Sequence, residues 1–373
     1  MNIAITGTHG IPNRYGGFEA FADRISRLLV QMNYRVLVYT PEVHPWNKKE
    51  YFGVQLIHIP MRKWLGPMST LEYDRLCFRD VAQRNIDVIL NCGTPGAFFI
   101  TKKDFPPVVT LADGLEWKRP KWNPAGKALL LRAERVAALR SRILVADHPL
   151  IQDYFRSKSG VEPVYIPYGV DLPDHKLSTT EFNKFVHSGF TTPAIKELPA
   201  YGYYLVITRL EPENHIETII RGFIKSGTDR RLVIVGDFHT GYGRKIFNRY
   251  SRQPRVYFTG GMYEEKKLNL LRSFSNGYFH GHSVGGTNPS LLEAMAAGCR
   301  IAAHDNPFNR YVMDNLGYFF SSADQVSEIV QAWEENPGGN DQDHQQFKER
   351  LLRNYSWQHV VHKYDQIFKQ LTE

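Results

Sequence analysis

Short apolar runs alternate along the first half of the chain with stretches whose apolar positions recur at helical spacing. Ile3–Thr6 has the pattern of a buried strand, and a helical pattern follows from about Phe18 to Met32. Strands that alternate with helices favour a parallel sheet covered on both faces. The further strands predicted in this half are Tyr34–Tyr39, Val54–Ile59, Val88–Asn91, Val108–Leu111 and Ile143–Ala146, with helices around Leu71–Arg84 and Lys127–Leu139.

The alternation restarts after a polar stretch, residues 172–199, which we predict to be a loop-rich connection. The predicted strands of the second half are Tyr203–Ile207, Arg231–Val235, Val256–Thr259, Gly277–His280 and Arg300–Ala303, with helices at about 215–226, 263–274, 289–297 and 323–335. Helical spacing in Gln345–Leu371 predicts one or two closing helices.

The expected fold class is therefore α/β, with two Rossmann-like, doubly wound domains facing a central cleft. We predict an N-terminal domain over residues 1–170, a linker over 171–199 and a C-terminal domain over 200–350. Residues 351–373 are expected to form a C-terminal helix that closes onto the N-terminal domain.

The composition, 42% hydrophobic and 23% charged over 373 residues, is that of a soluble globular protein. Cys77, Cys92 and Cys299 lie far apart in the sequence, which argues against a disulfide framework or a zinc site and for a reducing compartment. The chain shows no signal-peptide pattern and no apolar run of the roughly 18–20 residues that span a bilayer. We expect a cytoplasmic protein.

The formal net charge of +8 suits nucleic acid, anionic lipid or a phosphorylated substrate. No nucleic-acid-binding signature is found, so we expect no nucleic-acid partner. Basic and aromatic segments at Arg62–Leu65, Trp117–Trp122 and Lys127–Arg142 favour peripheral attachment to an anionic membrane face. The alternative for these segments is an ordinary solvated face.

The most informative stretch is His280–Gly298, in which glycines and small polar residues lead into a helix. Such a stretch presents backbone N–H groups and a helix N-terminus to an anion. A ribose or sugar hydroxyl is a natural partner for Glu293, so the stretch indicates a nucleotide-sugar site. His280 and His282 have no matching ligand cluster, and we predict no metal site. The donor-binding candidates here are Gly285, Gly286, Thr287 and Asn288.

A second glycine-containing motif, Gly7–Glu19, lies between the first strand and the first helix. Gly16 and Gly17 would let the backbone approach a phosphate closely, with Arg14 nearby. The motif lacks the lysine of a P-loop and the spacing of G-x-G-x-x-G. The alternative is a turn that simply requires glycine.

The segment Ala112–Trp122 follows a predicted strand and combines carboxylates, cations and two tryptophans. Asp113, at the strand end, is a candidate base or hydroxyl ligand. The alternative is a solvated charged loop. The acceptor-binding candidates are Glu116, Trp117, Lys118 and Arg119.

Thr208–His215 follows another strand and begins a helix. Arg209 can hold a diphosphate through bidentate hydrogen bonds. The alternative is a capping ion pair with Glu211 or Glu213. Gly236, after the next strand, could shape a base pocket, although a single strand-end glycine is a weak signal.

These motifs resemble a known family. Thr208–Asn214, Gly285–Gly298 and Pro167–Asp171 resemble the nucleotide-binding half of glycosyltransferase family 4, retaining enzymes of the GT-B fold. Gly10–Glu19 and Asp113–Arg119 more narrowly resemble the bacterial rhamnosyltransferase-like subgroup, which builds capsule, O-antigen and related polysaccharides.

The resemblance implies a hexosyltransferase that needs no cofactor or metal, with an acceptor-side N-terminal domain and a nucleotide-sugar-binding C-terminal domain. It implies dTDP-L-rhamnose as the favoured donor, with a UDP-sugar or a GDP-sugar as alternatives. The implied acceptor is a lipid-linked saccharide. It places Asp113, Arg209 and Glu293 at the catalytic centre, with Glu293 on the nucleoside ribose. Two positions depart from the family pattern: Gly285 replaces a glutamate, and Asn214, beside the diphosphate, replaces a lysine.

Two other classes of function stay open. A nucleotide-sugar epimerase on the same fold needs acid and base carboxylates around the sugar, which Gly285 makes less favourable. A non-catalytic sugar-nucleotide-binding protein is suggested only by the two departures. An epimerase would convert a donor without an acceptor, and a binding protein would hold the donor without turnover.

Overall fold

The computed structural model describes residues 1–14, 16–62, 64, 66, 68–101, 105–112, 114–173, 177–188, 197–336 and 341–373. The chain divides into two units. The first comprises Met1–Gly169, Gly285–Thr287 and Trp357–Glu373, and the second comprises Val170–Val284 and Asn288–Ser356.

The first unit is built on an eight-stranded sheet in which every neighbouring pair is parallel except the pair at one edge. Its strands are β1 Asn2–Thr6, β2 Arg35–Pro41, β3 Glu50–Tyr51, β4 Val54–Ile59, β5 Val88–Cys92, β6 Val108–Leu111, β7 Ile143–Ala146 and β8 Val164–Tyr165. Their order is β3-β4-β2-β1-β5-β6-β7-β8, and the antiparallel pair is β3 with β4. The buried central strands are nearly continuous apolar runs, as expected where helices cover both faces.

Helices pack on this sheet, and the last helix of the chain is among them. They are α1 Gly17–Gln31, α2 Met68–Val81, α3 Pro124–Arg140, α4 Pro149–Ser159 and α13 Trp357–Thr372. Phe21 of α1 lies 5.6 Å from Tyr364 of α13 between ring centroids. The Tyr34 hydroxyl donates to Asp365 Oδ1 at 2.5 Å. The C-terminal helix is therefore part of the first unit's core.

The second unit is built on a six-stranded, fully parallel sheet. Its strands are β9 Tyr203–Ile207, β10 Arg231–Val235, β11 Val256–Gly260, β12 Gly277–His280, β13 Ile301–His304 and β14 Tyr318–Phe320, in the order β11-β10-β9-β12-β13-β14. Its helices are α5 Thr179–Ser188, α6 Ile216–Ser226, α7 Gly241–Tyr250, α8 Glu265–Ser273, α9 Pro289–Ala296, α10 Pro307–Met313, α11 Ala323–Glu335 and α12 Asp341–Asn354. The predicted α/β class with Rossmann-like parallel sheets is confirmed.

The polar connection predicted over 172–199 was only partly right, because helix α5 lies within it. Phe182, Phe185 and Val186 of this helix are buried, at spacings of three and four residues that suit one helix face. The Phe182 ring lies 4.9 Å from Phe274 and 6.2 Å from Tyr203. Three apolar side chains among polar neighbours were enough to dock a short helix that composition alone did not reveal.

Four histidine rings lie in two stacked pairs in the second unit. His280 stacks on His282 with centroids 4.4 Å apart, and His215 stacks on His304 at 3.9 Å. Burial lowers the pKa of His280 to about 3, and burial lowers the pKa of His304 to about 4. Both rings are therefore neutral in the folded protein near pH 7.

We predict that acid destabilises the second unit through these rings. An unfolded histidine takes up a proton near pH 6.5, whereas folded His280 and His304 stay neutral until far lower pH. Below about pH 6.5 protons therefore bind the unfolded state preferentially, and the free energy of unfolding falls. Above about pH 6.5 these rings add no pH dependence. Each ring should lower the free energy of unfolding by about 1.4 kcal/mol per pH unit below that value. Denaturant titrations between pH 7.5 and 5 measure the slope.

His280→Phe keeps a stacked aromatic ring but removes its titration, so the slope should become shallower by about 1.4 kcal/mol per pH unit. His239→Gln is the matched control, because the His239 side chain is 82% exposed. An unchanged slope in the folded His280→Phe variant would contradict the prediction.

Candidate functional site

The glycine-containing loop of the first unit is tied to helix α1 by two carboxylates. The His9 N–H donates to Glu19 Oε1 at 2.8 Å, and the Asn13 N–H donates to Asp23 Oδ2 at 3.0 Å. Glu19 and Asp23 are buried to 4% and 8% exposure. Glu19 was not among the residues predicted from the sequence, although an acidic residue three positions after the N-cap is a known helix-start signal. The loop has a fixed shape because buried charges on α1 hold its backbone.

Gly16 and Gly17 lie at the start of α1, where the first turn leaves N–H groups without helical partners. Gly16 is the N-cap in an extended conformation, and no side chain caps it. Arg14 is exposed, and Tyr15 of the same motif lies outside the described residues. The motif thus offers a helix N-terminus and a solvent-facing cation within one short segment.

The predicted acceptor segment contains an internal ion-pair cluster. Glu116 pairs with Arg119 at 2.5 Å and with Lys121 at 2.6 Å, and Trp122 Nε1 donates to Glu116 Oε1 at 3.1 Å. Burial alone would raise the pKa of Glu116, but the two cations outweigh it and hold this pKa below its ordinary value. Glu116 is therefore a charged organiser of the segment. Its carboxylate is already committed to neighbours in the same turn.

Lys118 and Trp117 are the members of the acceptor set that this cluster leaves out. Lys118 is exposed, and its Nζ lies 5.7 Å from the centroid of the Trp117 ring. Asp113, the predicted hydroxyl ligand, lies outside the described residues.

In the second unit, Arg209 and Asn214 occupy one loop after β9. The Asn214 Nδ2 amide donates to the Arg209 carbonyl at 2.7 Å, and the Glu211 N–H donates to the same oxygen at 2.9 Å. Asn214 is 1% exposed, whereas Arg209 is exposed. Asn214 thus supports the loop from inside, while the Arg209 side chain faces solvent with no ion pair among the described residues.

A second segment of the same unit is fastened to this loop. The Ser283 N–H and hydroxyl donate to the Glu213 carbonyl at 3.0 and 2.9 Å, and His282 Nε2 lies 3.4 Å from Thr208 Oγ1. The loop after β9 and the segment after β12 are therefore held together, as expected for neighbouring parallel strands whose carboxyl ends share one edge.

Gly236 has a packing reason to be glycine. A Cβ atom there would lie 1.8 Å from the Thr208 carbonyl oxygen, so any side chain would push the loop before Arg209 out of place. The residue shapes this edge of the sheet through close backbone contact.

The glycine-rich stretch before α9 has an unusual backbone. Gly285 has φ of +138°, a region that residues with side chains rarely adopt, and no atom of the described residues lies within 4 Å of the position that its Cβ would take. Gly285, Gly286 and Thr287 group with the first unit, while Asn288 belongs to the second. Asn288 is the N-cap of α9, and its Oδ1 accepts from the Ser290 N–H at 3.1 Å.

Glu293 lies in the middle of α9 and pairs with Arg272 of α8. The Arg272 side chain is 1% exposed and the Glu293 side chain 37%. Arg272 was not among the residues predicted from the sequence, although it is the one charged residue in the leucine-rich segment Leu268–Phe274. Among the residues that the structure describes, no group of three or more histidine, cysteine, aspartate or glutamate side chains is placed to hold a metal ion.

Two protein families match separate parts of the chain. Residues 1–171 match the family described as "Domain of unknown function (DUF1972)", and residues 194–351 match "Glycosyl transferases group 1". A search of curated proteins found no match.

Solved structures match over nearly the full length. Sucrose-phosphate synthase from Thermosynechococcus elongatus matches at 17% identity and a TM-score of 0.78, covering 99% of this chain and 98% of its own. Alr3699/HepE from Anabaena, solved with UDP and glucose, matches at 14% identity and a TM-score of 0.76, covering 99% of this chain and 100% of its own. A glycosyltransferase from Rickettsia africae ESF-5 matches at 13% identity and a TM-score of 0.72, covering 100% of this chain and 98% of its own.

At these identities the solved structures establish the fold, and they confirm the predicted GT-B architecture of Rossmann-like domains. The activity follows from the domain matched over residues 194–351. The chain carries a glycosyl transferases group 1 domain, and it is a glycosyltransferase.

Proposed function

We propose that this glycosyltransferase moves a sugar, L-rhamnose from dTDP-L-rhamnose in the first instance, onto a lipid-linked saccharide in bacterial surface polysaccharide synthesis. The sequence motifs support a place in the rhamnosyltransferase-like subgroup of family 4. The UDP complex of Alr3699/HepE supports a nucleoside diphosphate leaving group by analogy.

The observation that carries the proposal is the solvent-facing Arg209 on a loop whose backbone is fixed by Asn214. Cleavage of the donor's glycosidic bond places negative charge on the departing diphosphate. A preorganised guanidinium stabilises this charge without reorganising at the moment of reaction. A planar guanidinium also matches two phosphate oxygens at once.

The remaining roles follow the same chemistry. Backbone N–H groups of Gly16, Gly17 and the stretch Gly286–Asn288 are proposed to bind phosphate oxygens, and Glu293 is proposed to accept a hydrogen bond from the nucleoside sugar. Asp113 is proposed to orient the acceptor or the sugar. The reaction needs no metal in this scheme, because Arg209 and helix N-termini supply the positive field.

We further propose that the reaction retains the anomeric configuration. Attack from the face that the diphosphate leaves needs no protein nucleophile, and the phosphate itself takes the acceptor's proton. Gly285 supports a 6-deoxy donor, because the residue that would meet the donor sugar's hydroxyls has no side chain here.

One prediction of the proposed function concerns Arg209. Arg209→Ala should lower kcat/KM for nucleoside diphosphate release from the donor by about 10²–10³-fold, since one preorganised stabiliser of the leaving group is lost. Turnover is measured with a bacterial lipid extract as acceptor source. Arg252→Ala is the control, because Arg252 is also exposed and lies in the turn after α7. Full activity in Arg209→Ala would disprove the diphosphate assignment.

The second prediction concerns the donor. In a thermal-shift screen of dTDP, UDP, GDP and their sugars, dTDP-L-rhamnose should give the largest rise in Tm. A ligand present at 100 times its Kd stabilises the folded protein by about 2.7 kcal/mol. A larger shift with a GDP-sugar, at equal concentration, would replace the proposed donor.

We also propose a membrane-facing surface on helix α3. Leu131 and Leu139 are 40% and 66% exposed, and Arg132 and Arg135 are exposed beside them. These four residues with Val136 line a shallow open surface pocket. Exposed leucines beside arginines suit the boundary between lipid headgroups and acyl chains. None of the described helices is long and apolar enough to cross a membrane.

We predict that the protein floats with anionic vesicles of phosphatidylglycerol and that Arg132→Glu with Arg135→Glu abolishes flotation. Each basic residue near the surface contributes about 1 kcal/mol of attraction, so the double charge reversal should lower vesicle binding by at least tenfold. Arg244→Glu with Lys245→Glu makes the same charge change on the exposed side of α7 and should float like the wild type. Equal flotation of both variants would contradict a surface on α3.

A further inference from the structure

Arg272 is an almost fully buried cation beside the residue proposed to meet the nucleoside sugar. Its side chain is 1% exposed at the end of α8. Nη1 donates to Asn269 Oδ1 at 3.1 Å, and Nη2 donates to Glu293 Oε2. Its carbonyl accepts from Ser275 Oγ at 2.9 Å and from Cys299 Sγ at 3.3 Å. Both the backbone and the guanidinium are therefore fixed.

The pair with Glu293 is asymmetric. A buried guanidinium requires a counter-charge, and among the described residues Glu293 is the carboxylate that pairs with it. Glu293 is partly exposed, so the fixed arginine sets the position of the carboxylate. Oε2 is engaged, whereas Oε1 has no hydrogen-bond partner among the described residues. Oε1 is thus the oxygen of Glu293 that is most available to a ligand, because Oε2 already accepts from a fixed guanidinium.

We propose that Arg272 is a positioning residue that sets nucleotide specificity: by engaging Oε2, it leaves Glu293 one oxygen for one sugar hydroxyl. This inference rests on the proposed contact between Glu293 and the nucleoside sugar. A carboxylate with both oxygens free can accept from the 2′- and 3′-hydroxyls of a ribose together. With one oxygen engaged, the 2′-hydroxyl adds little, so 2′-deoxyribonucleotides and ribonucleotides bind alike.

The wild-type protein gives the first test. UDP and 2′-deoxy-UDP differ only in the 2′-hydroxyl, and calorimetric titration should give Kd values within about threefold of each other. A preference for UDP of tenfold or more, about 1.4 kcal/mol, would overturn the proposal without any variant.

Arg272→Met gives the second test. Methionine fills the buried space without a donor, and removing the cation leaves no buried charge, since Glu293 is partly exposed. Both oxygens of Glu293 can then accept, so the preference for UDP over 2′-deoxy-UDP should rise to about tenfold, one hydrogen bond to a charged group. Arg272→Lys restores a cationic donor and should return the ratio towards that of the wild type.

Arg249→Met is the matched control. Arg249 also pairs with a glutamate, Glu217, but on an exposed surface with 52% of its side chain accessible. The ratio of the Kd values for 2′-deoxy-UDP and UDP should be the same in Arg249→Met as in the wild type. A folded Arg272→Met protein with an unchanged ratio would overturn the role of Arg272, because a merely structural loss would weaken both nucleotides equally.

Glu293→Gln separates this inference from the function on which it rests. We expect it to weaken both nucleotides by about fivefold or more, through loss of a charged acceptor. If it weakens neither, the contact of Glu293 with the nucleoside sugar is wrong, and the role of Arg272 is overturned with it. If the wild type binds no nucleoside diphosphate, the proposed donor class itself is wrong.

Discussion

The hydrogen bond from the buried Asn214 amide to the Arg209 carbonyl is the contact on which the second unit's candidate site depends. The loop after β9 has to present a long cationic side chain to solvent and still keep a defined backbone. A neutral amide supports the carbonyl without placing a charge in the interior, although its own Oδ1 is buried with no hydrogen-bond partner among the described residues. The bonds from Ser283 to the Glu213 carbonyl fasten the neighbouring segment after β12 to the same loop in a similar way, again between uncharged groups.

The same division of labour recurs in the first unit. Glu19 and Asp23 fix the glycine-containing loop from inside, while Arg14 faces solvent. Glu116 organises two cations and an indole, while Lys118 remains exposed. In each case a carboxylate in a candidate motif is engaged with its neighbours. The side chains available to a ligand are mostly cations, which suits an anionic substrate.

Strand patterns were predictable because buried parallel strands are short apolar runs: β4, β6, β7, β9, β10 and β12 have the predicted bounds. Helix α5 was not predictable, because its three buried aromatic and aliphatic residues lie in a polar segment. The helix docks through contacts with Tyr203 and Phe274, which are distant in the sequence. Among the site residues, Arg209 is exposed, and its use in binding a diphosphate stays a prediction. The bond from Asn214 to the Arg209 carbonyl lies within one loop, but spacing does not encode the path of that loop. The pairing of Glu293 with Arg272 joins two helices and depends on a tertiary contact.

Gly285 changes how the difference from the wider family is understood. Its φ of +138° means that the backbone, and not only the side chain, has left the conformation that an ordinary residue favours. No atom of the described residues crowds the position of its Cβ, so the backbone conformation is the observed reason for glycine. A residue with a side chain at this position would load the loop with about 1–3 kcal/mol of backbone strain. A glutamate there would therefore have to carry this strain, or the loop would have to take a different path.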